Sequence, residues 1–249
     1  MTTSTTSTAG RVALVTGASG GIGRAAAERL AADGYFVAVH YAGNQAKADE
    51  TVAGIVANGG RAIAVGGDVG DESAMTAAFD AIEAEFGGID VVVNNAGIMP
   101  LSPIADLDLD EFDRIVRTNL RGAFVVSQLA AKRVREGGAI INTSTSVTKL
   151  RLPGYAAYAA CKSGVETMTA ILAKELRGRG VTSNAVAPGP TETPLFTNGK
   201  TSEQIAQSAG ASPLGRLGQP DDMAGVIAFL AAPGTWINGQ TVYANGGMI

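Results

Sequence analysis

The sequence predicts an α/β domain built on a parallel sheet with helices on both faces. Three observations carry that prediction. Short continuous runs of Val and Ile alternate with longer stretches of helical periodicity, the pattern of strands buried on both faces and joined by crossover helices. Hydrophobic residues make up 46% of the 249 residues, enough for one large core. The 33 glycines cluster at the ends of the apolar runs and form no repeat, which argues against a fibrous or low-complexity chain.

The elements follow in order. Residues 1–10, rich in Thr and Ser, lack the positive start and apolar core of a secretory signal and read as a disordered polar tail. Residues 12–15 form a first strand, followed by a helix over 22–32. A strand over 36–41, a helix over 45–57, a strand over 62–65, a helix over 72–86 and a strand over 89–93 continue the alternation. One long helix is expected over 109–135 and another over 155–177, with later strands at 139–143, 182–187 and 241–244. No linker divides residues 11–249, so a single domain is expected. Residues 193–218, rich in Gly, Ser, Thr and Pro, are the least regular part. They follow a strand end, where ligands bind in open α/β sheets, and read as a substrate lid or as a surface excursion with one short helix.

Charge and rare residues narrow the function. The net charge is −4 with both signs scattered, and the absence of a basic stripe argues against nucleic-acid binding. No apolar run approaches the roughly 18 residues of a membrane span, and the cytoplasm is the simplest location. Cys161 is the only cysteine, so neither an internal disulfide nor a thiolate metal site is expected, and no metal is predicted. His40 is the only histidine, and no Gly-x-Ser-x-Gly elbow accompanies it, which argues against a Ser-His-Asp hydrolase.

Two local patterns carry chemistry. Tyr158 and Lys162 stand four positions apart, on one face of their expected helix. A neighbouring ammonium favours phenolate, so the pair can move a proton to or from a carbonyl or alcohol oxygen. Chance placement of five tyrosines and six lysines gives about 0.1 such pairs, so the pair alone is weak evidence. The second pattern is Thr16-Gly17-Ala18-Ser19-Gly20-Gly21-Ile22-Gly23, between the first strand and first helix. Glycines let the backbone approach a pyrophosphate, and a helix N-terminus offers free N–H groups and a partial positive charge.

With these residues in place the chain resembles the short-chain dehydrogenase/reductase family over nearly all of residues 11–249. The family's Thr-Gly-x-x-x-Gly-x-Gly is matched by Thr16, Gly17, Gly21 and Gly23, and its Asn-Asn-Ala-Gly by Asn94, Asn95, Ala96 and Gly97. Asn119 matches its catalytic asparagine, Tyr158 and Lys162 its Tyr-x-x-x-Lys, and Pro188 and Gly189 its Pro-Gly. The resemblance is closest to 3-oxoacyl-carrier-protein reductase-like and aldehyde-reductase-like members. It implies a doubly wound (Rossmann) fold with a seven-stranded parallel sheet.

The resemblance also implies roles. Tyr158 becomes the general acid of carbonyl reduction, Lys162 lowers its pKa and binds nicotinamide ribose, and Asn119 holds a water of a proton relay. The family's carbonyl-polarising serine is replaced here by Thr145, with Ser144 and Ser146 as alternatives. Gly17, Ser19, Gly21, Ile22 and Gly23 would cradle the pyrophosphate. Asp68 and Val69 would meet adenine, with a helix N-cap as a second role for Asp68. Asn95, Ala96 and Gly97 would line the adenine-ribose side, while Asn94 braces strands. Pro188, Gly189, Thr191 and Thr193 would pass beside the nicotinamide. No acid lies between Tyr35 and Lys47 to repel a 2′-phosphate, and His40, Tyr41 and Asn44 can donate to one, although no arginine clamp is present. NADP(H) is therefore the expected cofactor and NAD(H) the alternative. Ile98, Met99, Leu150, Leu152, Pro153, Tyr155, Leu195 and Phe196 are the substrate-pocket candidates, favouring a neutral carbonyl compound. An NAD-dependent sugar or secondary-alcohol dehydrogenase and a non-catalytic NADPH sensor are the competing readings. Family members suggest a homodimer or homotetramer.

Overall fold

The computed structural model describes residues 10–249, so all but the last residue of the expected polar tail lies outside the described residues. The first half alternates as expected: β1 (Val12–Val15), α1 (Gly21–Ala32), β2 (Phe36–Tyr41), α2 (Gln45–Ala57), β3 (Arg61–Gly66), α3 (Glu72–Phe86) and β4 (Ile89–Asn94). The start of α3 shows the local logic. Asp71 accepts hydrogen bonds from the N–H groups of Ser73 at 2.9 Å and Ala74 at 3.1 Å, satisfying two donors that a helix leaves free. The N-cap role allowed for Asp68 therefore belongs to Asp71.

The expected single helix over 109–135 is instead three pieces. They are α4 (Leu109–Val116), a π-helical turn (Arg117–Arg121) and α5 (Gly122–Arg133). The chain continues through β5 (Val134–Thr143), α6 (Val147–Leu150), α7 (Ala156–Glu175), β6 (Thr182–Pro188), α8 (Pro194–Thr197), α9 (Ser202–Gly210), α10 (Pro220–Ala231) and β7 (Thr241–Ala244). Helix α10 is absent from the sequence expectations. Its start carries Pro220 in the first turn, followed by Asp221 and Asp222, a favourable opening for a helix. The irregular 193–218 stretch holds two short helices, and Thr201 and Gln204 form a reciprocal capping box at the start of α9.

All seven strands are parallel, in the order β3-β2-β1-β4-β5-β6-β7. The order reverses between β1 and β4, where Ala13 stands opposite both Val37 and Val91. Successive residues of a strand point to opposite faces, and β1 shows the consequence. Val12 and Leu14 pack with Phe79 of α3, Val126 of α5 and Leu172 of α7. Ala13 and Val15 pack with Leu30 of α1, Ala48 of α2 and Ile227 of α10. The central strands are thereby sealed on both faces, and the crevice at the topological switch opens at their carboxyl ends. Among the described residues no helix is long and apolar enough to cross a membrane.

Candidate active site

A cleft of about 880 Å³ lies at the carboxyl ends of β1, β4, β5 and β6, lined there by Gly17, Asn95, Thr143 and Pro188. Its first wall is the glycine turn. Gly17 has φ +65° and Gly21 φ +53°, conformations that favour glycine. A Cβ on Gly23 would stand 2.3 Å from the Gly17 carbonyl oxygen, so that glycine closes the turn on itself without reaching the cleft. Thr16 Oγ1 accepts from the main-chain N–H groups of Asn95 at 2.9 Å and Ala96 at 3.0 Å, joining the turn to the end of β4. The N-cap of α1, Gly20, offers no side-chain cap, and Ser19, Gly21 and Ile22 line the cleft beside it. An uncapped helix N-terminus facing a cavity suits an anion, so the turn fits a dinucleotide pyrophosphate.

The opposite end gathers the titratable groups. Tyr158 and Lys162 emerge one turn apart from α7, 7% and 4% exposed. Lys162 Nζ donates to the Thr143 carbonyl at 2.7 Å. Burial pushes the Tyr158 phenol up to about 12, against a smaller opposing pull from a hydrogen bond to Thr145. Burial likewise pushes Lys162 down to about 8. The sequence expectation was the reverse for the phenol. The cause is simple: desolvation dominates the phenol, and Lys162 Nζ, bonded to Thr143, lies 5.9 Å from the Tyr158 ring centre.

Of the three hydroxyls left open by the sequence, two are engaged elsewhere. Ser144 Oγ donates to Glu166 Oε1 at 2.6 Å. Ser146 Oγ donates to the Ala187 carbonyl at 3.3 Å and accepts from Asn245 Nδ2 at 3.1 Å. Thr145 remains beside the phenol and lines the cleft. Asn119 sits in the π turn, 1% exposed, and does not line the cleft. Its side chain bonds the main chain of Ile98 in both directions. Ala96, Gly97, Gly189, Thr191 and Thr193 line the cleft, as do all the apolar pocket candidates except Ile98 and Pro153. Asn94 donates to Asn142 Oδ1 at 3.0 Å and to the Ala123 carbonyl at 2.9 Å, a brace between strands and α5.

Two of the expected cofactor contacts, His40 and Tyr41, need correction, and Asp68 and Val69 stand beyond the lining of the cleft. His40 is fully buried; its Nδ1 accepts the Gly17 N–H at 3.4 Å. Desolvation holds its imidazole down at about 4, against weaker pulls from the Gly67 carbonyl and Asp68. It is a neutral brace under the glycine turn and cannot meet a phosphate. The Tyr41 ring lies against Gly66, 3.1 Å from where a Cβ would stand, and does not line the cleft. Asp68 lies outside the cleft, its carboxyl held below the usual range by the Gly70 N–H and by Arg117, whose guanidinium approaches to 2.9 Å. Val69 is 3% exposed and packs on Gly122.

Sequence reasoning missed Glu166, which accepts from Ser144, Thr148 and Tyr243 and ties α7 to the Thr145 segment. Its position one turn after Lys162 is the only signal it left. Lys47, Lys200 and Met248 also line the cleft without having been singled out. Among the described residues no cluster of His, Cys, Asp or Glu could hold a metal.

Comparison with known proteins agrees with this geometry. A family profile described as Enoyl-(Acyl carrier protein) reductase matches residues 17–249. A short-chain type dehydrogenase/reductase of Picea abies is 45% identical, over 96% of this chain and 93% of its own. An NADPH-dependent aldehyde reductase-like protein, chloroplastic, of Arabidopsis thaliana is 43% identical, over 97% and 95%. A crystal structure of a short chain dehydrogenase from Burkholderia cenocepacia J2315 in complex with NADP superposes with a TM-score of 0.91 at 39% identity, covering 98% of this chain and 99% of that one.

Proposed function

The chain belongs to the short-chain dehydrogenase/reductase family, and on that premise we propose that it uses NADPH to reduce a ketone or aldehyde, with Tyr158 as proton donor. It is an NAD(P)H-dependent oxidoreductase acting on carbonyl and alcohol groups. The observation that carries the finer reading is a buried phenol, its pKa pushed up by desolvation, beside the Thr145 hydroxyl and one turn from a buried lysine.

The bound nicotinamide would supply the hydride. The protein's own part is proton transfer and orientation. A phenol with its pKa pushed up to about 12 is a reservoir of one proton at pH 7 and donates it only to a strongly basic oxygen, such as a carbonyl becoming an alkoxide. Thr145 Oγ1 donates a hydrogen bond to the same oxygen and fixes its position. Lys162 spends one N–H on Thr143 and keeps two for ribose hydroxyls and for returning a proton to the phenol. The Asn119 side chain pairs one N–H and one lone pair with the Ile98 main chain and keeps the others for a water of that relay.

NADP(H) is favoured because no carboxylate stands between Tyr35 and Lys47 to repel a 2′-phosphate. The Arabidopsis relative is named NADPH-dependent, and the Burkholderia relative holds NADP. Met99, Leu150, Leu152, Tyr155, Leu195 and Phe196 form an apolar wall that suits a neutral carbonyl compound. Residues 193–218 act as its lid. Half-exposed Phe124 on α5 and Ile171 on α7 support assembly into a homodimer or homotetramer, and the cytoplasm is the proposed location. A spectrophotometric screen of NADPH consumption over ketones, aldehydes and 3-oxoacyl thioesters tests the function. Turnover of at least one class, lost in Tyr158→Phe, is expected; binding of NADPH with no turnover across the panel refutes it.

A further inference from the structure

We propose that Lys47, in the first turn of α2, is the cation that recognises the 2′-phosphate of NADP(H), with Asn44 and Ser19 as hydrogen-bond donors beside it. The inference rests on the NADPH reading above and adds the residues that decide it. The sequence offered no arginine clamp, and two of the three donors expected there, His40 and Tyr41, are turned away from the cleft.

Lys47, Asn44 and Ser19 all line the one cleft. Their placement follows from how α2 docks. Thr51 is fully buried, and its Oγ1 donates to the Ala18 carbonyl in the glycine turn at 3.3 Å and to the Lys47 carbonyl at 3.0 Å. Lys47 lies four residues earlier, on the same helix face and one turn nearer the helix start. Its side chain therefore leaves α2 over the turn that contains Ser19. Asn44 Oδ1 accepts the Lys47 N–H at 3.0 Å as the helix cap. That bond fixes the amide orientation and leaves Nδ2 free to donate.

The ammonium of Lys47 makes no ion pair among the described residues. It also sits where a cation opposes the helix dipole, in a first turn that holds no acid. An exposed, unpaired charge that violates a local rule points to a role outside folding. The other cations near the cleft are engaged elsewhere. Arg24 pairs with Glu28 at 2.8 Å, Lys200 bonds the Phe196 carbonyl, and Lys162 bonds Thr143. A phosphate dianion gains strongly from an ammonium, whereas the 2′-hydroxyl of NAD(H) gains little. Lys47 thus selects between the two dinucleotides.

Isothermal titration of wild type, Lys47→Ala, Lys47→Glu and Lys47→Arg with NADPH, NADH, 2′,5′-ADP and 5′-AMP tests this. Lys47→Ala should weaken NADPH and 2′,5′-ADP about tenfold, Lys47→Glu more, and Lys47→Arg least, with NADH and 5′-AMP within about twofold. Unliganded melting temperatures should stay near wild type, since the residue is exposed. If wild type prefers NADPH and both Lys47→Ala and Lys47→Glu keep that preference, the assignment of Lys47 is overturned and the cofactor reading stands. If wild type binds NADPH no better than NADH, the cofactor reading falls and this inference falls with it.

Discussion

Asn119 and Ile98 exchange two hydrogen bonds: the Asn119 amide donates to the Ile98 carbonyl at 2.8 Å and accepts the Ile98 N–H at 2.9 Å. The pair ties the π turn to the segment that follows β4. It also explains Gly97, where a Cβ would stand 2.9 Å from Asn119 Oδ1 and 3.7 Å from Lys162 Nζ. Asn119→Leu would leave both Ile98 groups unpaired at a cost of about 1–3 kcal/mol each. Thermal unfolding should show that loss, and kcat should fall further than the affinity for NADPH. Unchanged melting and unchanged kcat would contradict the brace.

The paired values of about 12 for Tyr158 and about 8 for Lys162 predict an asymmetric pH dependence. Reduction needs a protonated phenol and a lysine that can resupply it. Its kcat/KM should be level through neutral pH and fall above about pH 8 as Lys162 loses its proton. Alcohol oxidation needs the phenolate, so its rate should climb with pH over the same range. Tyr158→Phe should lower kcat by about 10²–10⁴ in both directions. A reduction profile that rises above pH 8 would refute the assignment of acid and relay.

Thr145 is the hydroxyl proposed to meet substrate: Glu166 holds Ser144, Asn245 holds Ser146, and Thr145 Oγ1 accepts the Val147 N–H at 3.3 Å and stands beside the phenol. Thr145→Val keeps the shape and removes the donor, and should lower kcat/KM by about 10²–10³, the usual loss for one oxyanion-type donor. Thr145→Ser should retain most activity. Ser146→Ala should cost little in turnover. A collapse of kcat in Ser146→Ala with Thr145→Val unaffected would move the role to Ser146.

The sheet was legible because its central strands are buried on both faces, and they read as near-continuous apolar runs such as residues 12–15 and 89–93. The β2 end was misread for a geometric reason. Counting residues places His40 and Tyr41 near a phosphate, but the pleat sends one beneath the glycine turn and the other against Gly66. The π turn left no mark, since one widened turn barely disturbs an apolar pattern that runs on through α4 and α5. Helix α10 was signalled by its opening Pro220-Asp221-Asp222 and by the helical spacing of Met223, Ile227 and Leu230, which sequence reasoning passed over. Tyr158 and Lys162 were found because one helix turn joins them. Glu166 and Ser144 stand 22 residues apart and meet only through the packing of α7 on β5.

The buried histidine predicts a pH-dependent stability that its sequence position does not suggest. His40 is fully enclosed, and its folded-state pKa is lowered from 6.5 to about 4. A lowered histidine pKa means that the unfolded chain binds the proton first. Its contribution is therefore fully present above pH 6.5 and is lost as pH falls towards 4. Two to three pKa units correspond to about 3 kcal/mol over that window. His40→Gln removes the titrating group and keeps a polar side chain that can accept the Gly17 N–H. It should be less stable than wild type at pH 7, yet lose less on acidification. Urea midpoints at about pH 7 and about pH 4.5 for the two proteins isolate the difference, since the carboxylates titrate alike in both. Equal losses in the two proteins would mean that His40 is not held neutral under the glycine turn.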